Sequence, residues 1–286
     1  MANNGEFLHV VVTPSRDELD FLPALVDSMV SQTLPPSEWV IVSHNSGEEA
    51  MSLLEEASEK YNWITIIPVD DLSKRKRGAQ IAKLVNLGLS EASSDWAFFS
   101  KIDSDMILPE DYFEKIISNF LDSEKLGITS GSCFILSNGR KVIEKVSKDH
   151  TRGGLKTYRR SCFDDIGGIR ELDGWDGIDN IMAQMEGWDT HSFQDPKAQH
   201  QRRTGSHSGL VSGCFESGKF AHAMGYFPPF MLARSLHRMT SKPILIGGFS
   251  MFIGYLFSIM SRQKRVNEPE VISFLRKKQK NRLKPW

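Results

Sequence analysis

Residues 98–113 read FFSKIDSDMILPEDYF, an apolar run followed by two aspartates and a proline. Such a run is typical of a β-strand buried on both faces. Asp103 and Asp105 follow it directly and repel each other unless a cation neutralises them. Because all-oxygen ligands favour Mg²⁺ or Mn²⁺, the segment predicts a divalent metal site. A structural alternative is that Asp103 begins a turn and Asp105 caps the helix predicted at 109–121.

The segments before this motif alternate between two patterns. Strand-like runs occupy 7–13, 38–46, 63–69 and 96–102, and helical spacing of apolar residues occupies 19–32, 48–61 and 79–92. This alternation predicts βαβ units and an α/β fold with a mainly parallel sheet. In such sheets ligands bind beyond the carboxyl ends of the strands, so we expect 14–18, 43–46 and 103–105 to meet in one crevice.

The later sequence predicts how that crevice is completed. Two strand-like segments, 126–136 and 140–146, flank a turn, and a glycine-rich stretch, a helix at 177–187 and a strand-like run at 191–200 follow. We therefore predict a nucleotide-binding half over 1–126, a second half over 127–210 that completes the pocket, and a helical extension over 211–286.

Composition limits the class of protein. The 286 residues are 40% hydrophobic, and 35 Lys and Arg nearly balance 36 Asp and Glu, so the charge gives no overall attraction to nucleic acid. Cys133, Cys162 and Cys214 are widely spaced, which predicts reduced, partly buried thiols of a cytosolic protein. The first residues have no basic stretch followed by an apolar one, and we predict no secretory signal.

The C-terminal region contains an uncharged run of 18 residues, 243–260, with basic residues on both sides. Residues 262–286 hold nine Lys or Arg against two Glu, a local charge of +7. Basic flanks around an apolar segment favour contact with an anionic membrane surface, and we predict a peripheral association with the cytoplasmic face of the cell membrane. The alternatives are a full membrane span and an ordinary helix that covers the core.

Several motifs occur in an order that resembles the family-2 glycosyltransferases. They are TPSRDE (13–18), WVIVSHNSGE (39–48), the 98–113 segment, RGGLKTYRRSCFDDIGGI (152–169), GWDGIDNIMAQMEGW (174–188) and HQRRTGS (200–206). The resemblance implies the GT-A fold and an inverting hexosyltransferase that uses a nucleotide-sugar donor and Mn²⁺ or Mg²⁺. The later motifs are most similar to a bacterial and archaeal branch associated with surface-polysaccharide synthesis, which implies a glycan or lipid-linked acceptor.

The same resemblance implies roles for individual residues. Asp103 would contact the donor ribose or the metal, Asp105 would bind the metal, and His200 would lie near it. Asp176 matches the position of the general base. Asp179, three residues later on the same side of a helix start, is either the alternative catalytic carboxylate or a residue that caps or orients. Further candidates are Pro14, Arg16, Glu18, Ser43, His44 and Arg77 at the donor, and Arg159, Arg160 and Trp175 on the acceptor side.

One departure from the family concerns the second strand. Many members carry two aspartates and a glycine there, whereas this chain has Ser43, His44 and Asn45. The nucleobase preference of the family therefore does not transfer.

Two other functions compete with glycosyl transfer. A nucleotidyltransferase also uses paired aspartates, but its glycine-rich loop after the first strand is missing from VVTPSRDELDFLP (11–23). A non-catalytic nucleotide or carbohydrate binder that scaffolds a membrane complex is the second alternative. The presence of all three carboxylates, Asp103, Asp105 and Asp176, argues for an enzyme.

Overall fold

The computed structural model describes residues 7–71, 78–137, 139–144, 149–202 and 209–283. Its first half is the predicted parallel sheet, with strands β1 (His9–Ser15), β2 (Glu38–His44), β3 (Ile64–Val69) and β4 (Phe98–Ile102) in the order β3-β2-β1-β4. Every residue of β1 and β4 is buried, as in a strand covered on both faces, and this includes polar side chains such as Thr13 and Lys101.

Helices α1 (Leu22–Val30), α2 (Glu48–Lys60) and α3 (Ala79–Glu91) connect the four strands. The buried residues of α1 and α2 pack with one face of the sheet, and those of α3 pack with the other. Gly88 lets α3 lie close to the sheet, since a Cβ there would be 2.6 Å from Val12 and 2.8 Å from Val42. The connections are thus the predicted βαβ units.

The second half of the chain extends the sheet with a mixed set of strands. Its elements are β5 (Met106–Ile107), α4 (Tyr112–Asp122), β6 (Leu126–Ser137), β7 (Arg140–Glu144), β8 (Leu155–Arg159), α5 (Arg160–Asp165), α6 (Trp175–Met185) and β9 (Asp189–His200). Strand β8 lies antiparallel between β4 and β6, and β6 pairs parallel with β9. The glycine-rich stretch therefore contains a central strand that the sequence pattern did not predict.

Four helices follow: α7 (Gly209–Ala223), α8 (Pro228–Arg238), α9 (Ile246–Met260) and α10 (Pro269–Leu283). Helices α7 and α9 are in backbone contact, because a Cβ on Gly218 would lie 1.9 Å from the carbonyl oxygen of Met251 and one on Gly254 would lie 2.0 Å from that of Phe215. Glu268 before α10 pairs with Arg170 at 3.1 Å. The extension is thus packed onto the preceding half.

The predicted apolar segment forms α9, which has 15 residues. Over the ranges that the structure describes, no helix has both the length and the apolar character needed to cross a bilayer. Cys133, Cys162 and Cys214 are free and buried, as predicted.

Candidate active site

A cavity of about 860 Å³ opens at the carboxyl ends of β1, β2 and β4. Its wall combines residues from both halves of the chain. Among them are Pro14, Arg16, Glu18, His44, Asp103, Asp105, Gly153, Gly154, Trp175, Asp176, His200 and Arg202. Most of the residues predicted from the sequence therefore share one cavity.

Asp105 lies at the base of this cavity and is only 4% exposed. One carboxylate oxygen, Oδ2, accepts hydrogen bonds from Arg202 Nε at 2.5 Å and from His200 Nε2 at 3.3 Å. Burial raises the pKa of Asp105, but the hydrogen bond from His200 and the charges of His200 and Arg202 outweigh burial and lower it. Asp105 is thus an ionised carboxylate, and it does not cap α4, which begins after Asp111.

His200 ends β9 and joins two carboxylates. Its Nε2 faces Asp105, and its Nδ1 lies 3.2 Å from Glu144 Oε2. Burial lowers its pKa, but the hydrogen bonds to Asp105 and Glu144 exceed that effect and raise the pKa to about 9. His200 therefore carries a positive charge at neutral pH in this arrangement.

Arg202 connects Asp105 to the start of the chain. Its guanidinium also donates to Glu18, whose other oxygen accepts from Ser104 Oγ. Reasoning from the sequence assigned no role to Arg202, although the residue belongs to the HQRRTGS motif. Glu18 and Asp105, which are both buried, need such a cation. Because their burial is known only from the folded chain, no sequence pattern pointed to Arg202.

A divalent metal fits Asp105 through its second oxygen. Oδ1 is buried and has no hydrogen-bond partner in the described part of the chain, and Asp103 lines the same cavity. Among the described residues, no group of three or more His, Cys, Asp or Glu side chains is arranged to hold a metal ion. A site with one or two carboxylates is the kind that Mg²⁺ and Mn²⁺ complete with substrate phosphates and water.

The loop before β8 packs against both Asp103 and Asp176. A Cβ on Gly154 would lie 2.5 Å from Asp103 Oδ2, and a Cβ on Gly153 would lie 2.9 Å from Asp176 Oδ2. Gly153 and Gly154 are consecutive, with Cα atoms about 3.8 Å apart, so the carboxylates of Asp103 and Asp176 pack against neighbouring residues of one loop. Asp103 and the predicted base, Asp176, therefore pack against the same loop.

Asp176 is in the first turn of α6, half-buried, and faces the cavity. The turn follows Gly174, whose φ of 80° is in the left-handed region that favours glycine. Trp175 is 5% exposed and also lines the cavity.

Asp179, three residues further along α6, is not among the described residues that line the cavity. It is 2% exposed, pairs with Lys156 Nζ at 2.7 Å and accepts a hydrogen bond from Tyr158. This position suits an orienting residue, which was one of the two roles considered for it.

Some of the residues predicted to bind the donor line the cavity and others do not. Pro14, Arg16 and His44 line the cavity, and His44 Nε2 lies 3.0 Å from Asp71 Oδ1. Ser43, which is not among the described wall residues, donates to Ser46 at 2.7 Å. Arg77, also predicted for the donor, lies outside the described residues.

Arg159 and Arg160 are directed elsewhere. The Arg159 guanidinium donates to the carbonyl oxygens of Phe120, Ser123 and Leu126 at 2.6 to 3.0 Å. Arg160 donates to the carboxylate of Asp164 and to the carbonyl oxygen of Ser94. Neither is among the described residues that form the cavity wall, so this placement gives no support to their predicted contact with an acceptor.

One face of α7 forms the far wall of the cavity. Ser212, Glu216, Lys219 and Phe220 line it, and Glu216 pairs with Lys219 at 3.2 Å. The sequence analysis missed them, although their spacing of four, three and one residues places them on one side of a helix.

Comparison with known proteins identifies the family. The glycosyl transferase family 2 model matches residues 10–170, more than half of the chain. No curated protein sequence matches the chain at a significant level.

Solved structures share the fold at low sequence identity. Mannosyltransferase PcManGT from Pyrobaculum calidifontis, in complex with GDP-Man and Mn²⁺, superposes with a TM-score of 0.63 at 14% identity, over 91% of this chain and 90% of that one. S. aureus TarS 1–349, in complex with UDP-GlcNAc, gives a TM-score of 0.55 at 18% identity, over 94% of this chain and 79% of that one. A second S. aureus TarS structure gives 0.54 at 16% identity, over 91% of this chain and 44% of that one.

The chain therefore belongs to glycosyl transferase family 2 and is a glycosyltransferase with the GT-A fold.

Proposed function

We propose that this enzyme transfers a sugar with inversion from a nucleotide-sugar donor to a glycan or lipid-linked acceptor, with a divalent cation at Asp105. The observation that carries the proposal is the buried Oδ1 of Asp105, which has no hydrogen-bond partner among the described residues and lies in the same cavity as Asp103 and Asp176. An acidic cation site and a separate carboxylate for proton removal are what an inverting transfer needs.

The donor would lie along the carboxyl ends of the strands, with its diphosphate at Asp105. The GDP-Man and Mn²⁺ of PcManGT and the UDP-GlcNAc of TarS are consistent with such a donor and metal. When bound, the cation would supply positive charge that stabilises the departing nucleoside diphosphate. His200 and Arg202 keep Asp105 ionised, and Arg16 adds a cationic side chain to the same wall.

Asp176 would remove the proton from the acceptor hydroxyl. The freed oxygen would then attack the anomeric carbon from the face opposite the diphosphate, while the bond between that carbon and the phosphate oxygen breaks. Asp176 lines the same cavity as Asp103 and α7, so an acceptor held by α7 would lie in the same cavity as the base. Trp175 and Phe220 would support the acceptor ring, and Glu216 and Ser212 would bind its hydroxyl groups.

The C-terminal extension, 211–286, would hold the enzyme on a membrane that carries the acceptor. Helix α9 exposes an apolar stripe at the spacing of one helix face: Phe249 at 62%, Ile253 at 40%, Leu256 at 37%, Phe257 at 48% and Met260 at 83%. Arg238, Lys242 and Arg262 lie at its two ends in the sequence. An apolar helix face with basic flanks suits the plane of an anionic bilayer.

Nucleoside diphosphate release from GDP-mannose and from UDP-N-acetylglucosamine, with and without Mn²⁺, tests the proposal. We expect Mn²⁺-dependent release from at least one nucleotide sugar in a wider panel. Asp176→Asn, which keeps the shape but removes the proton acceptor, should lower the release rate by about 10² to 10⁴ with donor binding retained. Nucleotide-sugar binding without any release would instead support the non-catalytic binder.

A further inference from the structure

Two buried lysines face each other across the centre of the sheet. Lys101 of β4 and Lys156 of β8 are direct partners in the antiparallel register, and they are 2% and 0% exposed. Like charges directly opposite each other on neighbouring strands are destabilising, and a buried ammonium group without a partner costs even more. This arrangement persists only if both cations are compensated.

Each lysine is compensated by a different part of the active site. Lys101 donates to Asp103 Oδ1, at the donor end. Lys156 donates to Asp179 Oδ1 at 2.7 Å and to the backbone carbonyl oxygen of Asp176 at 2.5 Å. The Trp175 ring lies close to both ammonium groups, with its centroid 5.8 Å from Lys101 Nζ and 5.6 Å from Lys156 Nζ.

The contacts of Lys156 fix the first turn of α6 to β8. Tyr158, two residues along the same strand, donates to the second oxygen of Asp179. Burial and the adjacent Asp179 charge raise the pKa of Tyr158 well above its ordinary value, so it stays a hydroxyl donor. The main chain at Asp176 and the side chain at Asp179 are therefore both held by one strand.

We propose that Lys101 and Lys156 are positioning residues: Lys101 orients the carboxylate of Asp103, and Lys156 orients α6 and with it Asp176. Because the two lysines share one register position, the pairing of β4 with β8 sets the separation between the donor-side carboxylate and the base. This inference rests on the proposed function for the roles of Asp103 and Asp176.

The test uses the full chain and compares two variants. Lys156→Met combined with Asp179→Asn removes the buried pair without leaving an uncompensated charge, and the amide oxygen introduced at position 179 keeps an acceptor for Tyr158. We expect hydrogen–deuterium exchange in a peptide covering 174–182 to accelerate at least tenfold. We also expect kcat for nucleoside diphosphate release to fall at least tenfold, with the KM for GDP-mannose or UDP-N-acetylglucosamine within threefold.

Lys101→Met should change metal and nucleotide binding and leave hydrogen–deuterium exchange in α6 unchanged. Its exchange over 174–182 should match the wild type, and its affinity for Mn²⁺ with GDP or UDP should weaken at least fivefold. Leu54→Ala, a core substitution in α2 outside the cavity wall, controls for a simple loss of stability. It should lower Tm while kcat stays unchanged below the transition.

Unchanged exchange over 174–182 in the double variant overturns the inference, as does a loss of kcat in Leu54→Ala equal to that in the double variant. The release rate of Asp176→Asn tests the proposed function independently of this inference. If that variant keeps its release rate, the proposed base is wrong, whereas the exchange result still decides whether Lys156 positions α6.

Discussion

Gly154→Ala adds a single methyl group that should displace the carboxylate of Asp103, the carboxylate proposed to lie at the donor. The added Cβ would lie 2.5 Å from Asp103 Oδ2, 3.2 Å from its Cγ and 2.9 Å from Met106 Cε. To reach an ordinary contact of 3.4 Å, the carboxylate oxygen must move by about 0.9 Å, whereas the end of the methionine side chain can move at little cost. Lys101 holds the other oxygen, so the carboxylate cannot simply rotate away. Displacements of about 1 Å in an active site cost up to about 10²-fold in rate.

We therefore expect Gly154→Ala to lower kcat/KM for nucleoside diphosphate release by about 10- to 10²-fold and to weaken Mn²⁺-dependent nucleotide binding in calorimetry. The backbone of Gly154 lies outside the left-handed region, so alanine itself causes no strain there. Gly213→Ala is the matched control, since its methyl group would meet no described atom within 4 Å. Wild-type kcat/KM and Mn²⁺ affinity in folded Gly154→Ala would refute the placement of Asp103 at the donor.

Three other predictions address the base, the core and the membrane. Gly153→Ala places a Cβ 2.9 Å from Asp176 Oδ2, so steady-state kinetics should show kcat reduced about tenfold with an unchanged donor KM; an effect on KM alone would contradict it. Burial lowers the pKa of His9 from 6.5 to about 3, so the unfolded chain binds a proton that the folded chain excludes, and stability falls as the pH drops from 6.5 toward 3. This loss is about 2 kcal/mol at pH 5. Because His200, whose pKa is raised to about 9, changes stability in the opposite direction over the same range, the test is a difference: in urea denaturation, the stability of the wild type relative to His9→Gln should fall by about 2 kcal/mol from pH 8 to pH 5. The full chain should sediment with phosphatidylglycerol liposomes at low salt and the variant Phe249→Ser, Phe257→Ser should not; equal sedimentation of both would show that α9 is not the contact.

The first half of the fold was predictable because its signals are local. Each of strands β1 to β4 has a short apolar run, at 10–12, 39–42, 66–69 and 98–99, and in the helices between them apolar residues recur every three or four positions. The position of Asp103 and Asp105 at a strand end follows from that pattern alone. A parallel sheet then brings the strand ends together, which is why most predicted donor residues line one cavity.

The rest depended on contacts between residues far apart in the chain. Strand β8 contains lysine, threonine and arginine, and the charge of its buried Lys156 is compensated by Asp179, which is 23 residues away. Arg202 meets Asp105 across 97 positions, and no local pattern reveals that contact. Arg159 was predicted for the acceptor side from the resemblance of its segment to the family, whereas its guanidinium donates to three backbone carbonyl oxygens, a role that only the folded chain shows.

Calorimetric titration of Mn²⁺ with GDP or UDP into wild-type protein and Asp105→Ala tests the central claim most directly. Asp111→Ala is a matched control, since Asp111 is an exposed carboxylate paired with Lys115. We predict that Mn²⁺ strengthens nucleotide binding to the wild type and to Asp111→Ala, and that Asp105→Ala loses this increase but stays folded. If Asp105→Ala binds nucleotide with the same dependence on Mn²⁺ as the wild type, Asp105 does not hold the metal and the proposed active site is wrong.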